Sequence, residues 1–189
     1  MKHYTSVRAA SKADTPEIIR VTNRAYRAES FCIKGERTSV DDLRALCQSG
    51  RFLVIDDAGP ESRLAGSVYV KIAGARGYLG MLAVDPDAQG RGLSRLLVEA
   101  VEAQCRAAGC GFVDLKVVNL RDDLFLYYRK LGFIAGQAIP FPVPERMLKP
   151  LHLVQMSKAI HSNATHPSPA QCHGVCQNAP DGDHGSSAE

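Results

Sequence analysis

No stretch of this chain stays apolar over the ~20 residues that a helix needs to cross a bilayer, so no membrane span is expected. The opening residues, Met1-Lys2-His3-Tyr4-Thr5-Ser6, lack the apolar segment of a secretory signal. Neither charge dominates. The 23 Lys and Arg stand against 20 Asp and Glu, and a net charge of +3 is too small to argue for nucleic acid or a membrane surface as partner. No Gly-Lys-Ser or Gly-Lys-Thr occurs, which removes the nucleotide P-loop. Cysteines occur at 32, 47, 105, 110, 172 and 176, and the first four are scattered among helix and strand signals. That pattern suits reduced thiols in a cytoplasmic protein better than a disulfide framework.

One segment lacks nearly everything a core needs. Residues 161–189 contain no Lys, no Arg and no aromatic residue, and Val175 is their only strongly apolar side chain. Such a composition does not bury enough surface to offset its ordering entropy, so a disordered tail is expected there. His166, Cys172, His173 and Cys176 are metal-ligand types, but their spacing matches no common structural zinc pattern and no metal is expected. The remainder, residues 1–160, is read as one globular domain. Its size is adequate for a core, with 45% of the whole chain hydrophobic and 23% charged.

Periodicity and turn chemistry place the elements of that domain. Strands are expected at 5–9, 51–56, 64–72, 77–84, 112–118, 133–140 and 152–159. Helices are expected at 14–29, with Pro16 in the first turn, and at 39–47, where Ser39 and Asp42 suit a capping box. Two more are expected at 93–108, stopped by Gly109, and at 122–131, stopped by Gly132. Asp57-Ala58-Gly59-Pro60 reads as the turn of a hairpin. The order suggests an α+β (mixed α/β) fold with helices on both faces of one sheet.

Residues 78–95, YLGMLAVDPDAQGRGLSR, carry the strongest functional signal. A strand-like run ends at Val84, Asp85-Pro86 breaks it, and Gln89-Gly90-Arg91-Gly92 makes a side-chain-poor turn into a helix. A glycine-rich turn there presents unpaired backbone N–H groups at the positive end of a helix dipole, which is a phosphate-binding arrangement. The dinucleotide fingerprint G-x-G-x-x-G fails because its third glycine position is Arg95. The pyrophosphate loop written Q/R-x-x-G-x-G/A fits Gln89, Gly92 and Ser94, with Ser in place of the final Gly or Ala. Further on, Tyr128-Arg129-Lys130-Leu131-Gly132-Phe133 matches a Y-x-x-x-G-F helix ending.

The two motifs, in this order and each in its strand–turn–helix setting, make residues 4 to 160 resemble the GNAT superfamily of N-acetyltransferases. The resemblance implies a central mixed sheet of six to seven strands with about four helices on its faces. It implies acetyl-CoA as cosubstrate, its pantetheine paired with the backbone of Leu82, Ala83 and Val84. The pyrophosphate would lie over Gln89, Gly90, Arg91, Gly92, Leu93, Ser94 and Arg95. Tyr128 aligns with the general acid that protonates the departing thiolate, while the neighbouring Tyr127 is expected to face elsewhere. An Asn that many relatives carry is replaced by Arg121, with Asn119 nearby.

Relatives often hold a carboxylate base at positions that are Gly80 and Lys116 here. Asp114, Glu29 and Glu36 are the possible substitutes. Arg37 and Lys116 are the expected substrate-binding residues, giving positive character to the pocket of a small-molecule or peptide amine acceptor. A homodimer is left open. The expected activity is acetyl transfer to a primary amine by direct attack, and the rival is a catalytically silent GNAT-like acyl-CoA-binding sensor or interaction module.

Overall fold

Phe52 and Val54 point to one side of a strand and Leu53 and Ile55 to the other, and all four are buried. A sheet built that way must be covered on both faces. In the computed structural model, which describes residues 6–57 and 63–160, that sheet has seven strands. They are β1 (Arg8–Ala9), β2 (Arg51–Asp56), β3 (Leu64–Ala73), β4 (Arg76–Val84), β5 (Phe112–Val118), β6 (Ile134–Pro140) and β7 (His152–Ala159). Their order across the sheet is β1-β2-β3-β4-β5-β7-β6. All neighbours run antiparallel except β4 and β5, which are parallel.

Four helices cover the faces: α1 (Thr15–Tyr26), α2 (Val40–Cys47), α3 (Leu93–Ala107) and α4 (Asp122–Lys130). Ile18 and Val21 of α1 and Leu43 of α2 pack on Phe52, Val54, Tyr69 and Ala83. On the opposite face Leu93, Leu97 and Val101 of α3 and Tyr128 of α4 share a core with Leu53, Val68 and Leu115. The two faces of β2 and β3 thus belong to two separate cores, as the period-2 alternation requires.

The expected strand at 5–9 is shorter, and the helix expected over 14–29 is α1 flanked by 3-10 turns at Lys12–Asp14 and Arg27–Glu29. Helix ends commonly tighten in this way. The capping box forms: Ser39 Oγ accepts from the Asp42 N–H at 3.2 Å while Asp42 Oδ2 accepts from the Ser39 N–H at 2.9 Å. Most of the hairpin turn at 57–60 and the whole tail at 161–189, with its Cys and His cluster, lie outside the described residues. Among the described residues no cluster of His, Cys, Asp and Glu suits a metal ion, and no helix is long and apolar enough to cross a membrane. Cys32, Cys47, Cys105 and Cys110 are free thiols, all but Cys47 buried.

Candidate active site

The parallel pairing of β4 and β5 covers only Arg76 with Phe112, Gly77 with Val113 and Tyr78 with Asp114. Beyond Tyr78 the strands part, and the β5-facing edge of residues 79–84 is left without a strand partner. A bulge lies on the same stretch. Ser67 pairs with Ala83 and Tyr69 with Gly80, so Met81 and Leu82 stand opposite Val68 alone. Met81 takes φ 49°, the left-handed region that costs a non-glycine residue energy, as the turned backbone of such a bulge requires.

The gap opens into a cleft of about 580 Å³. Leu82 and Val84 line it from β4, Lys116 from β5 and Tyr128 from α4. Gln89, Gly90, Gly92, Leu93 and Ser94 form its end, where the chain enters α3. Gly90 and Gly92 have φ of +74° and +77°, and a Cβ placed on either would meet nothing within 4 Å, so the surface above the turn is open. Gly92 is the N-cap of α3 and no side chain caps that end. The donors at the start of a 15-residue helix are therefore left to an anion, and this chain's residues fit a pyrophosphate.

The remaining expected contact residues are Ala83, Arg91 and Arg95. Ala83 is buried on the α1 side, so only its backbone belongs to the cleft-bordering strand. Arg91 Nη2 donates to the Asp87 carbonyl at 3.2 Å, and Arg95 Nε to Glu99 at 2.8 Å. Neither arginine lines the cleft, because each is engaged by a neighbour on its own turn or helix.

Tyr128 is held by the way α4 ends. Gly132 has φ +90°, the Phe133 N–H bonds the Tyr128 carbonyl at 3.0 Å, and the Gly132 N–H bonds the Arg129 carbonyl at 2.9 Å. This is a Schellman cap, and its usual hydrophobic contact is the Phe133 ring packed edge-on against Tyr128 at 5.6 Å. The Leu-Gly-Phe ending thus aims Tyr128. Burial first, then the neighbouring Tyr26, Tyr127 and Tyr78, push its phenol well above the ordinary 10.0. Tyr127 also lines the cleft, contrary to the expectation that it faces elsewhere. Its hydroxyl donates to Ser94 Oγ at 2.9 Å, and its ring meets Tyr128 at 5.2 Å. No periodicity argument gave that contact, since it depends on where α3 and α4 meet.

The end of the cleft lined by Arg37, Lys116, Arg121 and Arg146 is charged. Arg37 stacks over Tyr26 at 4.9 Å and Lys116 lies 6.0 Å from the Tyr78 ring, both on the cleft wall. Arg146 reaches the same wall from the Pro-rich connection after β6 and donates to the Lys34 carbonyl at 2.9 Å. Arg121 lies there too, bonded to Asp123 at 2.8 and 2.9 Å, whereas Asn119 accepts from the His152 N–H and serves β7. Asp114 is removed as a base. Arg76 grips it with two bonds, Ser157 donates to it, and these contacts hold its carboxyl below the usual range, away from the cleft. Glu36 does not line the main cleft, but Glu29 does.

A family model described as Acetyltransferase (GNAT) family matches residues 17–133. The chain belongs to that family. Among curated GNAT-related proteins, the mycothiol acetyltransferase of Gordonia bronchialis is 34% identical over 66% of this chain and 41% of its own length. The chain spans about half the length of the curated relatives it matches, or less. Solved structures share the GNAT fold. The ribosomal-protein-S18-alanine N-acetyltransferase of Escherichia coli has a TM-score of 0.68 at 17% identity, covering 87% of this chain and 98% of that one. YncA of Salmonella typhimurium, solved with its cofactor acetyl-CoA, has a TM-score of 0.64 at 21% identity, covering 90% and 99%. The GNAT match takes in the parted strands, the loop at 89–94 and the Tyr128 helix, all within residues 17–133.

Proposed function

We propose that this chain is an acetyl-CoA-dependent N-acetyltransferase that moves the acetyl group to a primary amine by direct attack. One juxtaposition carries the reading: a free strand edge, an uncapped helix N-terminus and a buried tyrosine border one cleft. Pantetheine pairs with the open edge at Leu82 to Val84, and the pyrophosphate rests on the N–H groups of residues 90–94. The bulge at Met81 and Leu82 frees backbone donors from the ladder with β3, so they are available to the thioester carbonyl as charge builds on its oxygen.

As the amine nitrogen bonds to the carbonyl carbon and the carbon–sulfur bond breaks, the thiolate takes a proton from the Tyr128 hydroxyl and the proton that the nitrogen loses restores that hydroxyl. The upward-shifted pKa keeps that hydroxyl protonated at every ordinary pH.

The proteins compared above carry different names, mycothiol acetyltransferase in one and ribosomal-protein-S18-alanine N-acetyltransferase in another. The acceptor here is therefore read from the cleft itself. Four cationic side chains, Arg37, Lys116, Arg121 and Arg146, face two carboxylates, Glu29 and Asp123, which suits an amine that also bears a carboxylate or phosphate.

CoA release with a panel of primary amines, with and without an anionic group, tests this. Release should be fastest with the anionic amines. If acetyl-CoA binds yet no amine gives release above background hydrolysis, the chain is a silent acyl-CoA-binding module.

A further inference from the structure

A second cavity of about 310 Å³ adjoins the cleft. Tyr26, Glu29, Ile33, Arg37 and Arg146 border both spaces, and Glu29 is the only carboxylate among them. Glu29 sits in the 3-10 turn after α1 and is 7% exposed, an unusual place for a charge. Its hydrogen bond from Arg121 Nη1 is long, 3.4 Å, and Arg121 is already satisfied by Asp123 at 2.8 Å. A buried carboxylate held this loosely contributes little to stability for the desolvation it suffers.

We propose that Glu29 is the general base of the acyl transfer, receiving a proton from an acceptor ammonium that reaches the cleft through the second cavity. The proposal rests on the N-acetyltransferase reading and supplies the base that Gly80 and Lys116 do not provide. Before attack the ammonium gives one proton to the Glu29 carboxylate and becomes nucleophilic. The nitrogen–carbon bond then forms and the carbon–sulfur bond breaks. The nitrogen's second proton passes to the Tyr128 oxygen as Tyr128 gives its own proton to sulfur, which restores the hydroxyl, and Glu29 returns the first proton to solvent after product leaves.

The surroundings raise the basicity of this carboxylate. Burial raises the carboxyl above its ordinary value, Arg37 and Arg121 pull it back, and Asp123 raises it again. Tyr26 of α1, the Cys32 thiol after the turn, and Arg146 from the connection after β6 complete the titratable or charged groups nearest it. Arg27 and Glu36 stand further out on the wall of the second cavity.

The test measures CoA release across about four pH units for the wild type, Glu29→Gln and Glu29→Asp. Acetyl-CoA is saturating, and the acceptor is the best of O-phosphoethanolamine, glycine and L-alanine. Melting temperature and calorimetric acetyl-CoA affinity are recorded for each protein.

At neutral pH Glu29→Gln should lose ~10²–10⁴-fold in kcat with acetyl-CoA affinity kept. Its rate should climb with pH toward the amine's own pKa, because free amine then replaces the missing base. Glu29→Asp should recover part of the rate and keep the wild-type ascending limb. A Glu29→Gln profile that matches the wild type overturns the assignment of Glu29 alone. A wild type that binds acetyl-CoA and acetylates none of the three amines overturns this proposal together with the transferase reading.

Discussion

Tyr127 of α4 donates its hydroxyl hydrogen to Ser94 Oγ in the first turn of α3, 2.9 Å away. The bond ties the helix that carries the proposed acid to the turn that would hold the pyrophosphate. Ser94 is also the one position where the loop departs from Q/R-x-x-G-x-G/A. The departure and the contact explain each other, because Gly or Ala at 94 would leave the half-buried Tyr127 hydroxyl without this acceptor.

Ser94→Ala and Tyr127→Phe should each cost about 0.5–1.5 kcal/mol of stability. The double variant should cost little more than the worse single one, since both remove the same bond. Urea unfolding of the four proteins checks this, and simple additivity would mean that the two groups do not interact.

Met81 at φ 49° is the bend that aims Leu82 into the cleft. A β-branched side chain tolerates that conformation poorly, so Met81→Val should lose roughly 1–2 kcal/mol of stability. Acetyl-CoA affinity should fall with it, because a straightened β4 moves the open edge. Thermal unfolding and calorimetry together test the link. A destabilised protein with unchanged affinity would separate the bulge from the cofactor edge.

Asp85, directly after β4, joins that strand to α1. Its side chain is 8% exposed and accepts from Arg20 at 2.5 Å and Arg24 at 2.9 Å. Burial alone would raise its carboxyl, but the Arg20 bond, the Asp87 N–H and the two guanidinium charges outweigh it and the net shift is downward from 3.8. A depressed carboxylate stabilises the fold above its unfolded value, and that stabilisation is lost as pH falls through the lower folded value. Stability should therefore drop below about pH 4. Asp85→Asn should be less stable by about 1–3 kcal/mol at neutral pH, after allowance for the partly exposed arginines, and should show a shallower acid slope. Parallel slopes would show that Asp85 does not set the acid limb.

The strands and α-helices, though not the short 3-10 turns, could be placed from the sequence because local signals determine them: alternation in 51–56, the Ser39 and Asp42 box, and glycines at 92 and 132 where the backbone turns left-handed. The glycine turn at 89–92 and the Leu-Gly-Phe ending at 131–133 were legible for the same reason, since each is a short motif with its own turn chemistry. Side-chain partnerships across the chain were not. Asp114 reads as a free carboxylate until Arg76, 38 residues earlier, is seen to grip it. Arg146 gives no sign that it will meet Lys34, 112 residues away. Such pairings depend on how elements approach each other, which no local period encodes.

Tyr128→Phe keeps the ring against Phe133 and removes only the hydroxyl, so folding and acetyl-CoA affinity should survive. Turnover should fall by ~10²–10⁴-fold, and in kcat, because the proton is needed only as the thiolate leaves. Since the phenol's shift is upward from 10.0, kcat of the wild type should show no descending limb from Tyr128 below about pH 10. Full activity in Tyr128→Phe would mean that solvent supplies the proton.

Calorimetric titration of acetyl-CoA into the wild type and Gly92→Glu tests the central claim most directly. At φ +77° any side chain strains the turn, and a carboxylate beside the uncapped end of α3 would meet the pyrophosphate with like charge. The wild type should bind, and Gly92→Glu should bind weaker by about two orders of magnitude or more, near 3 kcal/mol, with the domain still folded. Equal affinity in the two proteins would contradict the assignment of this loop as the pyrophosphate site.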